Sequence, residues 1–412
     1  MSAKGGDGEW NGMVTASTAA SKGAVSNALT DASAGAQPIV LQEGVIPTVR
    51  VNGDYAVVAI TKHGVELARR LQSTFSHADV YYMSKFERGD EAAKGIQLFE
   101  GSVRLLFPAL FPAYKGIICI ISLGAVVRMI APLLEDKKKD PGIVVIDDKG
   151  EHVISVLSGH LGGANELTRE VAAALGARPV LTTASDVQKT IAVDLFGRRF
   201  GWTWESADKL TPVSASVVNE ERVAVVQESG EPDWWLYDTP LPQTIRVYDD
   251  VRSALADEPQ AALVVTHRLL EADEEAILAN GVLYRPKVIA LGIGCNRGTA
   301  AEEIEAVIRE TLEELRFSMR SVKAVCTIDL KKDEEGLLAV CAKYGWPLEC
   351  YTPGELNEML MEEPSDTVFK FTGAYGVSEP ATKRYTGADR LVLTKKKSGN
   401  VTISVGLMSF GK

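Results

Sequence analysis

The chain has 412 residues, 46% hydrophobic and 24% charged, with a formal net charge of −11. That length predicts two or three domains, and the composition is that of a globular protein. The acidic balance argues against a nucleic-acid binder, which would show a basic face, and an anionic ligand would need local positive groups set against the general field.

Residues 1–46 are rich in Gly, Ala, Ser and Thr without a periodic apolar face, which predicts a disordered extension; neither a secretory signal nor an arginine-rich transit pattern is expected there. Order is expected from about Asp54. Residues 55–60 (YAVVAI) read as a buried strand, Thr61-Lys62-His63-Gly64 as a turn and 65–71 as the start of a helix. A second strand is expected at 78–82, a helix at 103–110 and a third strand at 116–122 (GIICIIS), apolar throughout as a centrally placed strand should be. Leu123-Gly124-Ala125 then leads into a helix reaching Leu134, with Arg128 in an early turn. This alternation predicts a doubly wound, mostly parallel sheet. Residues 143–147 and 152–157 flank the hairpin turn Asp148-Lys149-Gly150.

The second hairpin strand runs into the most heavily punctuated stretch, 156–186 (VLSGHLGGANELTREVAAALGARPVLTTASD). It reads as strand, glycine-rich turn, amphipathic helix and strand. Ser158-Gly159-His160-Leu161-Gly162-Gly163-Ala164-Asn165 forms the strand-to-helix junction. Backbone N–H groups at a helix start favour an anion, and glycines let a ligand approach them. His160, Asn165 and Glu166 supply a titratable base, an amide donor and a carboxylate, a set that could activate water and hold an oxyanion. A tight structural turn accounts for the same residues.

From about Ser206 the composition loosens. Strands are expected at 222–226, 244–247 and 262–266, with Trp202, Trp204, Trp234 and Trp235 as packing. A further unit begins after Pro286 with a strand at 288–293. The run Gly292-Ile293-Gly294-Cys295-Asn296-Arg297-Gly298 is GxGxxxG rather than GxGxxG, and no acidic residue follows a second strand, so a bound anion or a plain turn is expected rather than NAD. Cys295 lies near a helix start, but no histidine is near it in sequence to act as base. Thr299 and Glu302 predict a capping box on a helix at 300–315. Strands at 323–328 and 347–351 and helices at 334–344 and 353–361 follow. A helix from Ser378 and a hairpin pairing 390–394 with 401–405 across 395–400 close the chain. The domain boundaries expected are 1–46, 47–205, 206–286 and 287–412.

Five scattered cysteines and five histidines show no ligand spacing, so reduced thiols in the cytoplasm and no metal site are expected. No apolar run is long enough for a membrane span. Lys137-Lys138-Lys139 and Lys395-Lys396-Lys397 default to solvated loop charge.

Arg128-Met129-Ile130-Ala131-Pro132, Asp140-Pro141, Asp147, the run 157–165 and Thr182-Thr183-Ala184-Ser185-Asp186 occur in that order. Together they resemble the CbiG-type cobalamin biosynthesis proteins, the cobalt-precorrin-5A hydrolases of the anaerobic vitamin B12 pathway. Gly292-Ile293-Gly294-Cys295 and Ser378-Glu379-Pro380-Ala381 agree, in a C-terminal unit resembling CobE. The resemblance covers about residue 50 onward, with the middle unit matched by position. It implies opening of a ring A δ-lactone by water, release of acetaldehyde and formation of cobalt-precorrin-5B. It also implies no cofactor, because cobalt arrives with the substrate.

On that basis His160 is expected as base, Asn165 and the Gly162 and Gly163 amides as oxyanion donors, and Glu166 as reserve base. Arg128 and the lysine runs, Lys396 included, would hold peripheral carboxylates. Ser158, Gly159, Thr182, Thr183 and Asp186 would line the substrate. A macrocycle needs an interdomain cleft, expected between the first and third units with Gly294, Cys295, Ser378 and Glu379 on the far side. The expected partner is a cobalt-corrinoid polycarboxylate, with no nucleic acid and no membrane. A homodimer, transient contacts with neighbouring pathway enzymes, a nucleotide-dependent enzyme and a non-catalytic tetrapyrrole carrier stay open as alternatives.

Overall fold

A computed structural model of the chain describes residues 37–410 apart from Ser76. Apolar runs without alternation must be covered on both faces, and such runs build the first sheet. Its strands are β1 (Ile39–Val40), β2 (Tyr55–Ala59), β3 (Ala78–Met83), β4 (Gln97–Glu100), β5 (Gly116–Ile120), β6 (Gly142–Ile146), β7 (His152–Leu157) and β8 (Arg178–Val180). They lie in the order β1-β4-β3-β2-β5-β6-β7-β8, parallel except where β6 meets β7. Helices α1 (Lys62–Thr74) and α4 (Ala164–Leu175) cover one face; α2 (Phe107–Leu110) and α3 (Leu123–Ile130) cover the other. A short α5 (Ala184–Gln188) follows β8.

The reversal at β7 decides where chemistry can gather. Loops after β2, β5 and β6 emerge at one edge of the sheet, whereas those after β7 and β8 emerge at the edge where β5 and β6 begin. A Cβ on Gly142, the first residue of β6, would lie 2.7 Å from the carbonyl of Gly162, which shows how closely the 158–163 loop covers that edge. Asp147 therefore stands at the opposite edge from His160, a five-residue strand or roughly 16 Å away, while α3, with Arg128 in its last turn, runs back from that edge.

The second sheet orders β9 (Thr203–Trp204), β10 (Val223–Gln227), β11 (Ile245–Tyr248), β12 (Ala261–Val265) and β13 (Gly281–Arg285) as β11-β10-β12-β13-β9. Helices α6 (Leu210–Val218) and α7 (Val251–Ala256) pack on it. Ile191, Val193, Phe196 and Trp202 lie within the stretch 47–205, yet they are buried in this second core. Tyr284 Oη on β13 donates to the carbonyl of Val193 at 2.6 Å.

The third sheet orders β14 (Ile289–Cys295), β15 (Val322–Ile328), β16 (Leu348–Tyr351), β17 (Leu393–Ser398) and β18 (Val401–Leu407) as β16-β15-β14-β18-β17. With it come α8 (Ala301–Glu314), α9 (Glu335–Tyr344), α10 (Pro353–Asn357), α11 (Asp366–Thr372) and α12 (Ser378–Thr386). A Cβ on Gly292 would collide with Ser378 O and Thr382 Oγ1, so that glycine lets α12 cross the sheet at close range.

Several expectations need correction. Residues 1–36 lie outside the described residues, but 37–46 include β1 and the buried Leu41, held to the sheet by Leu41 N donating to Glu100 O. The expected helix at 103–110 is a 3-10 turn (Val103–Leu105) followed by α2, which restarts at Phe107 with Pro108 in its first turn. The helix expected to reach Leu134 leaves α-geometry at Ile130, before Pro132. Thr299 does not cap α8, because its hydroxyl donates to Asn296 O at 2.8 Å and Ala300 takes the cap position. The final hairpin turns at Gly399-Asn400, which puts Lys395-Lys396-Lys397 in β17 rather than in the loop. Helix α10 stops at Asn357, and α11 was not expected.

Hydrogen bonds tie the second unit to the third through Ser318 N to His267 O and Leu269 N to Arg316 O, both 2.7 Å. Arg320 adds bonds to the carbonyls of Trp204 and Glu205. Among the described residues no hydrogen bond or ion pair joins the first unit to the third, and no helix is long and apolar enough to cross a membrane.

Candidate active site

The loop after β7 is built by backbone constraints. Ser158 takes the left-handed conformation (φ 55°), which is rare for a residue with a Cβ and often marks a functional position. Gly162 must be glycine, since a Cβ there would collide with that of Ser158. Gly163 (φ 78°) caps α4. The amides of Gly163, Ala164 and Asn165 donate to the carbonyls of His160, Ser158 and Gly159 at 3.0, 3.2 and 2.9 Å. These N–H groups are thus closed by the loop itself, which removes the Gly163 amide from the oxyanion role expected for it. The Ser158 hydroxyl is buried without a hydrogen-bond partner among the described residues.

Asn165 is buried and its amide is fully engaged. Its Oδ1 accepts from Ser155 Oγ at 2.6 Å, and its Nδ2 donates to Thr183 Oγ1 and Asp186 Oδ2, both at 2.9 Å. It clamps two segments together instead of offering a free donor. Gly159 makes room for it, because a Cβ there would lie 2.7 Å from Asn165 Oδ1. Glu166 faces solvent, 68% exposed, and pairs with Arg169 at 3.2 Å. Thr182 is exposed.

The chemistry converges on Asp186 and His160. Asp186 Oδ2 accepts from His160 Nε2 at 3.0 Å as well as from Asn165, and Oδ1 accepts from Arg169. His160 Nδ1 lies 2.8 Å from Asp194 Oδ1. Side-chain exposure is 15% for His160, 12% for Asp186 and 24% for Asp194. Burial alone would lower the imidazole pKa, but hydrogen bonds to Asp186 and Asp194 outweigh it and push the value to about 9. Burial would raise the Asp186 carboxyl, yet His160 and Arg169 hold it below the ordinary range. At neutral pH His160 is therefore an imidazolium donating from both nitrogens, not the free base expected from its sequence context. The charges of His160, Arg169, Asp186 and Asp194 cancel.

Three participants were missed. Asp194 follows the apolar run Ile191-Ala192-Val193 and carried no motif of its own. Arg169 was read only as an outward-facing helix residue. Tyr237, beside Trp235, comes from the second unit; its phenol is raised by burial and then by the Asp186 charge, which places it near that carboxylate. The tryptophan cluster was the available signal. Lys137, Lys138 and Lys139 lie in the loop entering β6, at the same edge as His160, and their ammonium groups have no carboxylate partner among the described residues. Asp140 anchors that loop by accepting the amides of Glu135 and Asp136 at 3.1 and 3.3 Å.

The other expected residues lie elsewhere. Arg128 is exposed in the last turn of α3 and donates to its own helix at Gly124 O. Gly294, Cys295, Ser378 and Glu379 do gather in the third unit, where β14 meets the start of α12. Burial raises the Cys295 thiol, opposing the thiolate that a helix start would favour. The anion position expected at α8 is filled internally: Gly298 N donates to the buried Glu334 carboxylate at 2.6 Å. Glu379 is buried against Lys383 at 2.7 Å, and Lys396 is paired with Glu314 at 2.7 Å. The cleft expected between the first and third units gains no support from these contacts; the polar contacts of the His160 cluster run to the second.

Three family models match the chain: Cobalamin synthesis G N-terminal at 106–186, Cobalamin biosynthesis central region at 191–286 and Cobalamin synthesis G C-terminus at 289–406. The chain belongs to the CbiG family. A CbiG-family relative from Priestia megaterium, a cobalt-precorrin-5A hydrolase, is 69% identical over 372 residues, covering 90% of this chain and all of the relative. The cobalt-precorrin-5A hydrolase of Salmonella typhimurium is 32% identical over 360 residues, 85% of this chain and 97% of its own. Protein CobE of a Sinorhizobium species is 28% identical over 110 residues, 26% of this chain and 71% of its own. In CbiG terms the cluster spans two matched regions: Asp186 ends the first and Asp194 lies in the second.

Proposed function

We propose that this protein is a cobalt-precorrin-5A hydrolase of cobalamin biosynthesis. The observation that carries the reading is 69% identity over the full length of a curated hydrolase of that name. The reaction in finer detail is hydrolytic opening of the ring A δ-lactone, loss of a two-carbon fragment as acetaldehyde and formation of cobalt-precorrin-5B. The cobalt belongs to the substrate.

The site chemistry supports this reading. Opening a lactone needs an acceptor for a proton of water and positive groups near the oxygen that gains charge. The His160 cluster offers a caged imidazolium beside carboxylates. The three unpaired lysines at the same edge suit the acetate and propionate groups of the macrocycle. His160 serves as a charged anchor in this reading, in place of the base first expected.

The test is anaerobic incubation of the purified chain with cobalt-precorrin-5A, following acetaldehyde through a coupled dehydrogenase. Stoichiometric, catalytic release is expected. A carrier would bind the corrinoid and release none, and that result would overturn the proposal.

A further inference from the structure

Within the His160 cluster nearly every polar atom is already committed. Both oxygens of Asp186 accept hydrogen bonds, from Arg169 on one side and from His160 and Asn165 on the other. Both ring nitrogens of His160 face carboxylates, and the Asn165 amide has a partner at each end. Glu166 points outward against Arg169. Asp194 differs: Oδ1 takes the bond from His160, and Oδ2 has no partner among the described residues. It is also the most exposed of the three caged side chains, at 24% against 15% for His160 and 12% for Asp186.

Its placement suits a large substrate. The segment around Asp194 is fixed by Ile191, Val193 and Phe196 in the second core and by the Tyr284 bond to Val193 O. His160 is fixed by the first unit. The hydrogen bond between them therefore crosses a domain junction, where a macrocycle could enter.

We propose that Asp194 is the catalytic carboxylate of this enzyme, its free oxygen taking a proton from the water that opens the lactone, with His160 and Asp186 as positioning residues behind it. The inference rests on the lactone-hydrolase reading above. In the step, one O–H bond of water breaks and its proton passes to Asp194 Oδ2. The hydroxide oxygen bonds to the lactone carbonyl carbon. The acyl C–O bond then breaks, its electron pair stays on the ring oxygen, and that oxygen takes the proton back from Asp194. Water is consumed, a free acetate carboxyl and a hydroxyl are formed, and the carboxylate is regenerated. His160 holds Oδ1 throughout, so that Oδ2 keeps its aim.

Asp194→Asn in the full chain keeps an acceptor for His160 and removes the base. Acetaldehyde release from cobalt-precorrin-5A should fall at least about 100-fold in kcat with KM within about threefold. Asp194→Ala gives an independent arm, in which added formate should restore release by at least about tenfold; a purely structural role would not respond to formate. A kcat within threefold of wild type in Asp194→Asn, a loss confined to KM, or no formate rescue of Asp194→Ala would each overturn the assignment. If the wild-type chain itself releases no acetaldehyde, the hydrolase reading fails instead, and the two failures stay distinct.

Discussion

An imidazole held at both nitrogens by carboxylates binds its proton more tightly in the folded chain than in the unfolded one. With the His160 value raised from 6.5 to about 9, the added stability is full below about pH 6.5 and is lost as pH rises through about 9. The shift corresponds to about 3 kcal/mol. His160→Gln should remove this component, so that urea unfolding of wild type and variant converges between those pH values; parallel curves would show that the cage does not act on stability. Asn165→Ala, which leaves Ser155, Thr183 and Asp186 each short of a partner, should cost about 1–3 kcal/mol by the same measurement. Residue identity was legible here and residue role was not. His160, Asn165 and Asp186 stood out as polar groups around a glycine-rich turn, and they do converge. Whether a donor is free or spent depends on partners up to 34 positions away, as with Asp194, and no local pattern carries that information.

The glycines of the junction are separable at the level of the element. Gly162→Ala puts a Cβ against Ser158 in a loop already packed on Asp140 and should cost about 1–3 kcal/mol as overpacking, with acetaldehyde release reduced because His160 rides on that loop. Gly163→Ala meets no atom within 4 Å and pays only for its left-handed backbone, about 1–2 kcal/mol, with release retained per folded molecule. Comparable loss of turnover in both variants would mean that the turn contributes backbone groups to the substrate after all. Long apolar strands and the amphipathic α4 were legible because burial on both faces, or on one helical stripe, leaves a periodic trace. Strands β1 and β4 left none: they are two and four residues long and gain their hydrogen bonds only by pairing. The last hairpin was read with too long a turn because its lysines look like loop, although in β17 they alternate along an edge strand.

Over the whole molecule, the contacts place the second unit between the other two, and the candidate His160 cluster stands at the first–second junction rather than at the expected first–third cleft. Two substitutions separate these arrangements. Arg268 bonds Glu228 and Glu274, both nearly buried, beside the backbone pairing of 267–269 with 316–318. Arg268→Ala strips Glu228 of its cation and leaves Glu274 only the 4.0 Å approach of Arg252 at the second–third joint, and should cost about 3–5 kcal/mol in urea unfolding. If the site lies at the other junction, kcat per folded molecule should stay near wild type. Tyr237→Ala acts where the second unit approaches Asp186: the phenol is half-buried and exposed to that charge, so its loss should raise KM several-fold while stability hardly moves. The opposite pattern, with turnover lost in Arg268→Ala and untouched in Tyr237→Ala, would return the third unit to the substrate. The charge balance gives a further reason to expect the first pattern. Glu334 and Lys383 in the third unit already neutralise the groups that would otherwise seek a ligand, whereas Lys137, Lys138 and Lys139, at the same edge as His160, have no such partner among the described residues.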